Sequence, residues 1–299
     1  MKTKDSIPGP VQSRRIIHTP SPFARASLLH LQEAGTLQAL APHRSERSGM
    51  ASCLFFLVLS GCGKLRCEEG EYELQKGDCV FLDCRKPYSH ETGGAAQGLE
   101  PEKSAPALWS LQWCHFYGPN MNAIYRKYRE RGGKPVFHPK HPEAYGAILD
   151  ELSEIAGSAD YVRDMRIQER LSALLVLLME DAWDVKKRTH AGTAALDVQQ
   201  VKEYLDENFR EKITLDELAA RFFINKYYLI SLFRERYGMT VNAYLNQVRV
   251  TYVKEQLRFT DRTVEELAEE LQIGPSWLSR LFRKVEGVSP AGFRKSWRA

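Results

Sequence analysis

Hydrophobic and polar residues in the first third of the chain follow a pattern of short strands separated by tight turns. The run from Cys53 to Ser60 is apolar throughout and predicts a buried strand, which Gly61 to Gly63 are expected to turn. Strands of such length at close, regular turns are typical of a sandwich or a barrel. The predicted strands are 53–60, 64–67, 71–74, 79–82 and 108–116.

From Asn120 to Lys187 the hydrophobic positions change to a helical period. They form two stripes, which we expect to pack against the β-domain; the second is wide enough to contact a second subunit as well. The first stripe is Tyr145, Ile148, Leu149, Leu152 and Ile155, and the second is Ile167, Leu171, Leu174, Leu175, Leu178, Met179 and Trp183. Polar and small residues then predict a linker at 188–196.

The C-terminal third contains one pattern twice. Residues 215–244 align without a gap on residues 264–293, at an offset of 49 positions. Self-similarity at a fixed offset indicates one supersecondary unit that is used twice. The clearest matches are Leu218 with Leu267, Ile224 with Ile273, Leu229 with Leu278, Leu232-Phe233-Arg234 with Leu281-Phe282-Arg283, and Gly238 with Gly287.

Each copy predicts two short helices joined by a tight break. Thr214 and Thr263 are expected N-caps, because Glu217 and Glu266 follow three residues later and can close a capping box. Glycine follows each second helix, where a left-handed helix stop is common. A small alanine, Ala219 or Ala268, stands where the two helices would cross. This arrangement describes a helix-turn-helix motif.

The outer face of each second helix carries side chains that donate to phosphates or read base edges. We therefore predict that these two helices bind DNA, as a tandem pair. A small helical bundle with a solvated basic face is the alternative. The candidate DNA-binding residues are Lys226, Tyr227, Ile230, Ser231 and Arg234 in the first copy, and Ser276, Ser279, Arg280, Arg283 and Lys284 in the second. Arg294, Lys295 and Arg298 are expected to bind phosphate.

The C-terminal hundred residues resemble the DNA-binding domain of AraC-family transcription regulators. The resemblance is carried by Leu215-Asp216-Glu217-Leu218-Ala219, Tyr228 through Arg234, Tyr244-Leu245-Asn246 with Arg249, and Gly287 through Arg294. The family usually has Gly-Phe in the turn of its second unit, where this chain has Leu271-Gln272-Ile273. A helix over 241–257 would join the two units and span roughly 25 Å. That length suits two recognition helices one DNA turn apart.

The N-terminal domain resembles the cupin-like sensor domain of the same family. Leu74-Gln75-Lys76-Gly77-Asp78, Lys86 through His90, and Trp109 through Phe116 carry the resemblance. It implies a double-stranded β-barrel that holds one small ligand, and dimerisation through the helices that follow. A sugar or a similar polar molecule would suit the aromatic and histidine side chains. The candidate ligand-binding residues are His43, Tyr88, His90, Trp109, Trp113 and His115; both tryptophans could instead belong to the core.

Charge and composition add less than the motifs do. The 299 residues carry a formal net charge of +4, and residues 197–299 hold 17 lysines and arginines against 15 aspartates and glutamates. Only the distribution of these charges suggests nucleic acid: acids lie on each first helix and cations on each second helix. The six cysteines form no Cys-x-x-Cys pattern, and Met1 to Pro22 is polar and proline-rich. We therefore expect a cytoplasmic protein with reduced thiols, no metal, no cofactor and no membrane span.

The sequence thus predicts an α+β chain of two domains. Its parts are a flexible arm at 1–14, a cupin-like β-domain at 15–118, a helical dimerisation segment at 119–187, the linker, and a tandem helix-turn-helix domain at 197–299. The predicted function is sequence-specific, ligand-responsive transcription regulation, with activation through RNA polymerase commoner in the family. One alternative is a metal-dependent cupin enzyme fused to a DNA-binding domain, although the usual His-x-His with a following Glu is missing. Another is a DNA-alkylation repair sensor, which would need a Pro-Cys-His-Arg-type motif that no cysteine here has.

Overall fold

The computed structural model describes residues 11–93, 108–159, 161–182 and 198–297. The chain divides into two units, 1–184 and 185–299. The predicted linker at 188–196 and most of the predicted arm lie outside the described residues. The part of the arm that is described, 11–14, belongs to a strand, because Val11–Ile17 pairs along its whole length with the next strand.

The N-terminal unit is built on antiparallel strands that form two connected layers. One layer runs β1-β2-β8-β4-β6-β9, and in the other β4 pairs with β5 and β7, while β7 pairs with β3. The strands are β1 (Val11–Ile17), β2 (His30–Ala39), β3 (Arg44–Arg47), β4 (Cys53–Cys67), β5 (Gly70–Gln75), β6 (Cys79–Asp83), β7 (Tyr88–Thr92), β8 (Trp109–Tyr117) and β9 (Val136–Phe137). Strands β1, β2, β3, β7 and β9 were not among the predicted strands, and β3 and β9 are only four and two residues long.

Strand β4 belongs to both layers, and the turn predicted at Gly61 to Gly63 is wrong. The first half of β4 pairs with β6 and β8, and its second half pairs with β5 and β7. The glycines let the strand pass close to other backbone. A Cβ atom on Gly61, whose φ is +75°, would lie 2.1 Å from the carbonyl oxygen of Leu108. A Cβ atom on Gly63 would lie 2.1 Å from the ring of Trp109.

The apolar run of β4 is continuous because both of its faces are buried. Cys53, Phe55 and Leu57 face a core that the helices cover. Leu54 and Phe56 face a second core, between the two layers of strands. The period of two is therefore present in the structure, although the sequence shows no alternation there.

The described part of the N-terminal unit also contains four helices: α1 (Pro22–Ser27), α2 (Met121–Glu130), α3 (Pro142–Gly157) and α4 (Arg163–Ala182). The two predicted stripes lie on α3 and α4 and pack into the helix-covered core. Ile155 and Met179 are only partly buried, and Trp183 lies outside the described residues. The aromatic ring of Tyr145 stacks on Phe55, with 5.2 Å between centroids, and its hydroxyl donates to Asp181 at 2.7 Å.

The C-terminal unit is helical throughout its described part and surrounds one core. That core is formed by the inner faces of all seven described helices, including Leu218, Leu229, Phe233, Leu267 and Phe282. The helices are α5 (Val198–Asn208), α6 (Leu215–Arg221), α7 (Lys226–Tyr237), α8 (Val241–Phe259), α9 (Val264–Glu270), α10 (Pro275–Glu286) and α11 (Pro290–Trp297).

Candidate nucleic-acid interface and ligand cavity

The helix pairs α6–α7 and α9–α10 begin in the same way. The Thr214 hydroxyl accepts from the Glu217 amide at 3.2 Å, and the Glu217 carboxylate accepts from the Thr214 amide at 2.8 Å. Thr263 and Glu266 form the same two bonds, at 3.1 and 2.8 Å. Both predicted capping boxes are therefore present, and each satisfies two amides that a helix start leaves unpaired.

The two pairs also share an unusual backbone conformation between their helices. Phe223 has a φ of +53° and Gln272 a φ of +54°, and the two residues are separated by the repeat offset. They are the only non-glycine residues with positive φ in the described part of the chain. This conformation is costly for an L-residue, so a glycine would suit it. Gln272 thus occupies the position where the turn departs from the usual glycine.

Each second helix ends at a glycine in the left-handed conformation. Gly238 has a φ of +73° and Gly287 a φ of +78°, and each donates its amide to a carbonyl one turn back, on Arg234 and Arg283. Both α7 and α10 are 12 residues long. They begin at matching positions of the repeat, although the Asn225 side chain caps α7 and Gly274 gives α10 no side-chain cap, and they end in the same way.

An arginine donates to backbone carbonyl oxygens just before each helix pair. Arg249 on α8 is buried and donates to the carbonyl oxygens of Phe209 and Glu211, at 2.8 and 2.7 Å, just before α6. Arg294 on α11 donates to the carbonyl oxygens of Leu257 and Arg262, just before α9. Arg294 is half-buried and thus has a structural role as well, while its binding to phosphate stays a prediction.

The predicted residues of the first copy lie on the accessible side of α7; we call this set the α7 face (Lys226, Tyr227, Ile230, Ser231 and Arg234). Tyr227 is 75% exposed, Ser231 and Arg234 are exposed, and Lys226 and Ile230 are half-buried. The Lys226 ammonium contacts Asp216 at 2.7 Å, and this contact raises the Lys226 pKa. The α7 face therefore carries an exposed tyrosine and an isoleucine beside its polar residues, and its Lys226 is paired with Asp216.

The predicted residues of the second copy form the α10 face (Ser276, Ser279, Arg280, Arg283 and Lys284). All are exposed except Ser279, which is half-buried. Among the described residues no carboxylate forms an ion pair with Arg280, Arg283 or Lys284; the Arg280 Nε donates to the Ser276 carbonyl at 3.3 Å. The α10 face is thus the more strongly cationic of the two.

Two exposed aromatic residues beside these faces were missed. Phe223 is 94% exposed in the turn before α7, and Trp277 is 38% exposed in the first turn of α10. No role was predicted for Phe223, because its neighbour Phe222 completes the apolar face that Leu218 and Ala219 begin. Trp277 could have been identified from its position between the predicted contact residue Ser276 and the buried Leu278.

In the N-terminal unit, five of the six predicted ligand residues line one cavity of ≈ 170 Å³. They are His43, Tyr88, His90, Trp113 and His115. We call this space the N-terminal cavity. Its apolar wall comes from β4 and β8, through Leu54, Phe56 and Leu111.

Trp109 does not line the cavity. It is fully buried, with its ring against Phe56 and His90 and directly above Gly63. Trp109 and Trp113 point to the same face of β8, because they are four residues apart, but Trp109 lies at the end of the strand where β4 changes layers. It therefore belongs to the core, which was the alternative for each tryptophan.

Burial keeps two of the cavity histidines neutral. Desolvation lowers the pKa of His90 to about 4, with a smaller contribution from the neighbouring His43, and desolvation also lowers the pKa of His115 to about 4. The His115 Nδ1 lies 2.9 Å from the Ser52 hydroxyl, which holds the ring in place. These histidines act as neutral hydrogen-bonding groups at physiological pH.

The cavity also contains charged residues that were not predicted. Arg15 on β1, Glu33 on β2 and Arg47 on β3 all line it. The Arg15 guanidinium also lies over the ring of Trp113, 5.3 Å from its centroid. Strands β1 and β3 were not among the predicted strands, and their alternating burial is what brings Arg15 and Arg47 to the cavity.

Within the described residues, no group of three or more His, Cys, Asp or Glu side chains could hold a metal ion. In that part of the chain, no helix is long and apolar enough to span a membrane. Burial raises the pKa of the Cys84 and Cys67 thiols to about 11, and it raises that of Cys53, Cys79 and Cys114 still further. A thiolate nucleophile is therefore disfavoured at these five positions.

Family models match both parts of the chain. Residues 30–185 match the family model described as an AraC-like ligand binding domain, and residues 218–296 match a helix-turn-helix domain. The chain is 24% identical over 297 residues to the MmsAB operon regulatory protein of Pseudomonas aeruginosa, covering 97% of this chain and 88% of that protein.

Two further relatives match the chain over about a third of its length. The bifunctional transcriptional activator/DNA repair enzyme AdaA of Bacillus subtilis is 34% identical over 99 residues, 33% of this chain and 47% of that protein. The DNA-binding domain of AdpA, solved in complex with a target DNA, is 27% identical, covers 34% of this chain and 92% of that chain, and has a TM-score of 0.33. Since a ligand-binding family model matches more than half of this chain and a helix-turn-helix model matches its C-terminal unit, the chain belongs to the AraC family: it is a DNA-binding transcription regulator with an N-terminal ligand-binding domain.

Proposed function

We propose that the chain is a sequence-specific transcription activator that responds to a small molecule in the N-terminal cavity. In this proposal α6–α7 and α9–α10 are two helix-turn-helix motifs, and α7 and α10 enter successive major grooves. The observation that carries it is the repetition of cap, left-handed turn and glycine stop, which presents two equal helices with accessible outer faces. Helix α8, at 19 residues, would separate them by roughly 28 Å.

The two faces take different parts in this binding. Arg280 and Arg234 are proposed to contact base edges together with Tyr227, Ser276 and Ser279. Arg283 and Lys284, the last cations of α10, are proposed to bind phosphate. Ile230 and Ser231 would contact thymine methyl groups or hydroxyl-accepting base edges beside Lys226. The α10 face is therefore expected to contribute more of the electrostatic affinity than the α7 face.

Binding by fluorescence anisotropy to a cognate operator and to random DNA tests these parts. Arg280→Ala should cost about 1–3 kcal/mol on the operator and much less on random DNA, because a base contact adds specificity. Lys284→Ala should weaken both and reduce the salt slope by about one unit. Arg236→Ala is the control, since Arg236 is exposed on α7 but lies about 200° around the helix from Arg234. Equal losses for Arg280→Ala on both DNAs would make Arg280 a phosphate contact.

The proposed effector site is the N-terminal cavity, inside a unit that we interpret as a double-stranded β-barrel. A carbohydrate suits its aromatic wall and neutral histidines, whereas its two arginines suit an anion. Effector binding would shift the population between arrangements of the chain that differ in DNA affinity. Activation, supported by the name of the AdaA relative, would require contact with RNA polymerase. An effector-dependent change in operator affinity of the full-length protein tests the coupling.

A homodimer through α4 is part of the proposal. Met165 and Val176 are 53% and 54% exposed and lie on one side of α4, because 11 residues complete just over three whole turns. We expect a second copy to cover these two side chains. The double substitution Met165→Lys/Val176→Lys should convert a dimer to a monomer in sedimentation velocity. A monomeric unmodified protein at micromolar concentration would contradict this part alone.

The proposal assigns the chain no catalysis, no cofactor and no metal, and a cytoplasmic location. The relatives that carry a functional name are regulators, although AdaA is also named as a repair enzyme. Stoichiometric metal in the purified protein would favour the alternative of a cupin enzyme. Methyl transfer to a cysteine from alkylated DNA would favour the repair alternative.

A further inference from the structure

The rim of the N-terminal cavity carries two cations that share one carboxylate at long distance. Arg15 Nη1 lies 3.6 Å from one oxygen of Glu33, and Arg47 Nη1 lies 3.8 Å from the other. Both distances exceed a hydrogen bond. Among the described residues neither guanidinium donates a hydrogen bond to any acceptor, so two planar sets of N–H donors are available beside the cavity.

The net charge at this rim is +1. Arg15 and Arg47 are always protonated, Glu33 supplies one negative charge, and the histidines that line the cavity are neutral. A neutral ligand would leave this excess charge uncompensated. A monoanion would match it, whereas a dianion would be repelled by Glu33.

Two buried polar atoms inside the cavity also have no partner. They are the Ser13 hydroxyl on β1 and the His90 Nδ1 on β7, and within the described residues neither makes a hydrogen bond. Ser13 and Arg15 share one face of β1, because they are two residues apart on a strand. Leaving such an atom unpaired costs about 1–3 kcal/mol, so both positions favour a ligand with hydrogen-bonding groups.

We propose that the N-terminal cavity binds a small carboxylate, with its charged end between Arg15 and Arg47 and its polar groups on Ser13 and His90. The inference rests on the proposed role of this cavity as the effector site. The guanidinium fork matches the two oxygens of a carboxylate, which gives direction as well as affinity. Leu54, Phe56, Leu111 and Trp113 supply the apolar wall for the carbon skeleton. At ≈ 170 Å³ the cavity is smaller than the usual pocket for a drug-sized ligand, which restricts the carboxylate to a small one.

Acids compared with their own amides test the inference on the full-length protein. The probes are lactate, gluconate and 4-hydroxybenzoate against lactamide, gluconamide and 4-hydroxybenzamide, which differ in charge and little in shape. Thermal shift and titration calorimetry should show binding of at least one acid, and at least tenfold weaker binding of its amide. One lost charge-assisted bond is worth about this factor.

Variants of the rim locate the carboxylate. Arg15→Gln and Arg47→Gln should each weaken the bound acid about tenfold, and Arg15→Lys should recover part of the affinity because it keeps the charge without the fork. Arg44→Gln is the matched control: Arg44 is on β3 as well, but it is exposed, pairs with Glu46 at 3.2 Å and does not line the cavity. Its affinity for the acid should equal that of the unmodified protein.

Three results would overturn the inference: amides that bind as tightly as their acids, acids that bind the Arg→Gln variants unchanged, or no binding of any of the three acids. Operator binding, measured on the same preparations, separates this failure from failure of the proposed function. Intact operator binding that responds to a neutral amide would leave a ligand-responsive regulator with a different effector class. Absence of operator binding would remove the proposed function itself.

Discussion

The two units of the chain place their functional residues in opposite environments. In the C-terminal unit the candidate residues lie on exposed helix faces and are mostly charged or hydroxylated. In the N-terminal unit they line an interior cavity and include buried neutral histidines. All eight histidines of the chain precede residue 198, so the described part of the C-terminal unit contains none. The exterior site therefore depends on local helix geometry, whereas the interior site depends on burial.

Acid should affect the two units at different pH values, and this is the largest effect we expect. Since the folded-state pKa of His90 and of His115 is about 4, below the unfolded value near 6.5, the unfolded state takes up protons first as the pH falls. The free energy of unfolding therefore keeps its full value above pH 6.5. It falls between pH 6.5 and 4, by roughly 3 kcal/mol for each histidine. We expect the N-terminal unit to open first on acidification.

The C-terminal unit should respond at lower pH. Although desolvation opposes it, hydrogen bonds from Tyr252, Arg210 and Arg262 lower the Glu270 pKa, so that contribution is lost only as the pH falls below about 4.5. Hydrogen exchange with mass spectrometry, from pH 7 to pH 4, would locate the opening. His90→Gln should flatten the profile of the N-terminal unit, and the exposed His138→Gln should not. Simultaneous opening of both units at pH 5 would contradict the comparison.

The stability of the C-terminal unit should also depend on how deeply its arginines are buried. Arg249→Met removes two charge-assisted hydrogen bonds and leaves the carbonyls of Phe209 and Glu211 unpaired, which should lower the unfolding free energy by about 3 kcal/mol. Arg294→Met should cost about 1–2 kcal/mol, because the half-buried carbonyls can bind water. Urea denaturation followed by circular dichroism would measure both. A larger loss for Arg294 than for Arg249 would show that burial does not set the order.

The sequence predicted the local structure of the C-terminal helix pairs better than the lining of the N-terminal cavity. The capping boxes at Thr214 and Thr263 and the stops at Gly238 and Gly287 are set by residues within one turn of each other, so spacing alone was sufficient. The cavity was only partly predicted, because its lining comes from strands far apart in sequence. Trp109 and Trp113 have the same parity on β8, and only the pairing of β8 with β4 decides which one reaches the cavity.

The missed residues have physical reasons as well. Ser13 and Arg15 stand in a segment without a hydrophobic run, and that segment becomes a strand only because β2 offers it a pairing edge. Arg47 lies in a four-residue strand that is held by β7. In the sequence Arg294 has the pattern of a surface cation, because only the fold brings it to the carbonyl oxygens at the end of α8.

The smallest expected effect concerns the backbone of the repeated turn. Gln272→Gly should stabilise the C-terminal unit by about 0.5–1 kcal/mol, because relief of the left-handed strain exceeds the entropic cost of glycine. Phe223→Gly should behave in the same way at the matching position. Glu269→Gly, inside α9, is the control and should cost about 1 kcal/mol. Thermal denaturation would compare the three; a destabilised Gln272→Gly would mean that the side chain makes a compensating contact.

Strand β4 has a consequence for how the N-terminal unit comes apart. Because a single strand supplies hydrogen-bonding partners to β5 and β7 at one end and to β6 and β8 at the other, loss of β4 removes pairing from both layers at once. Partial unravelling of one hairpin at a time is therefore disfavoured. Force applied to the ends of this unit should rupture it in one step.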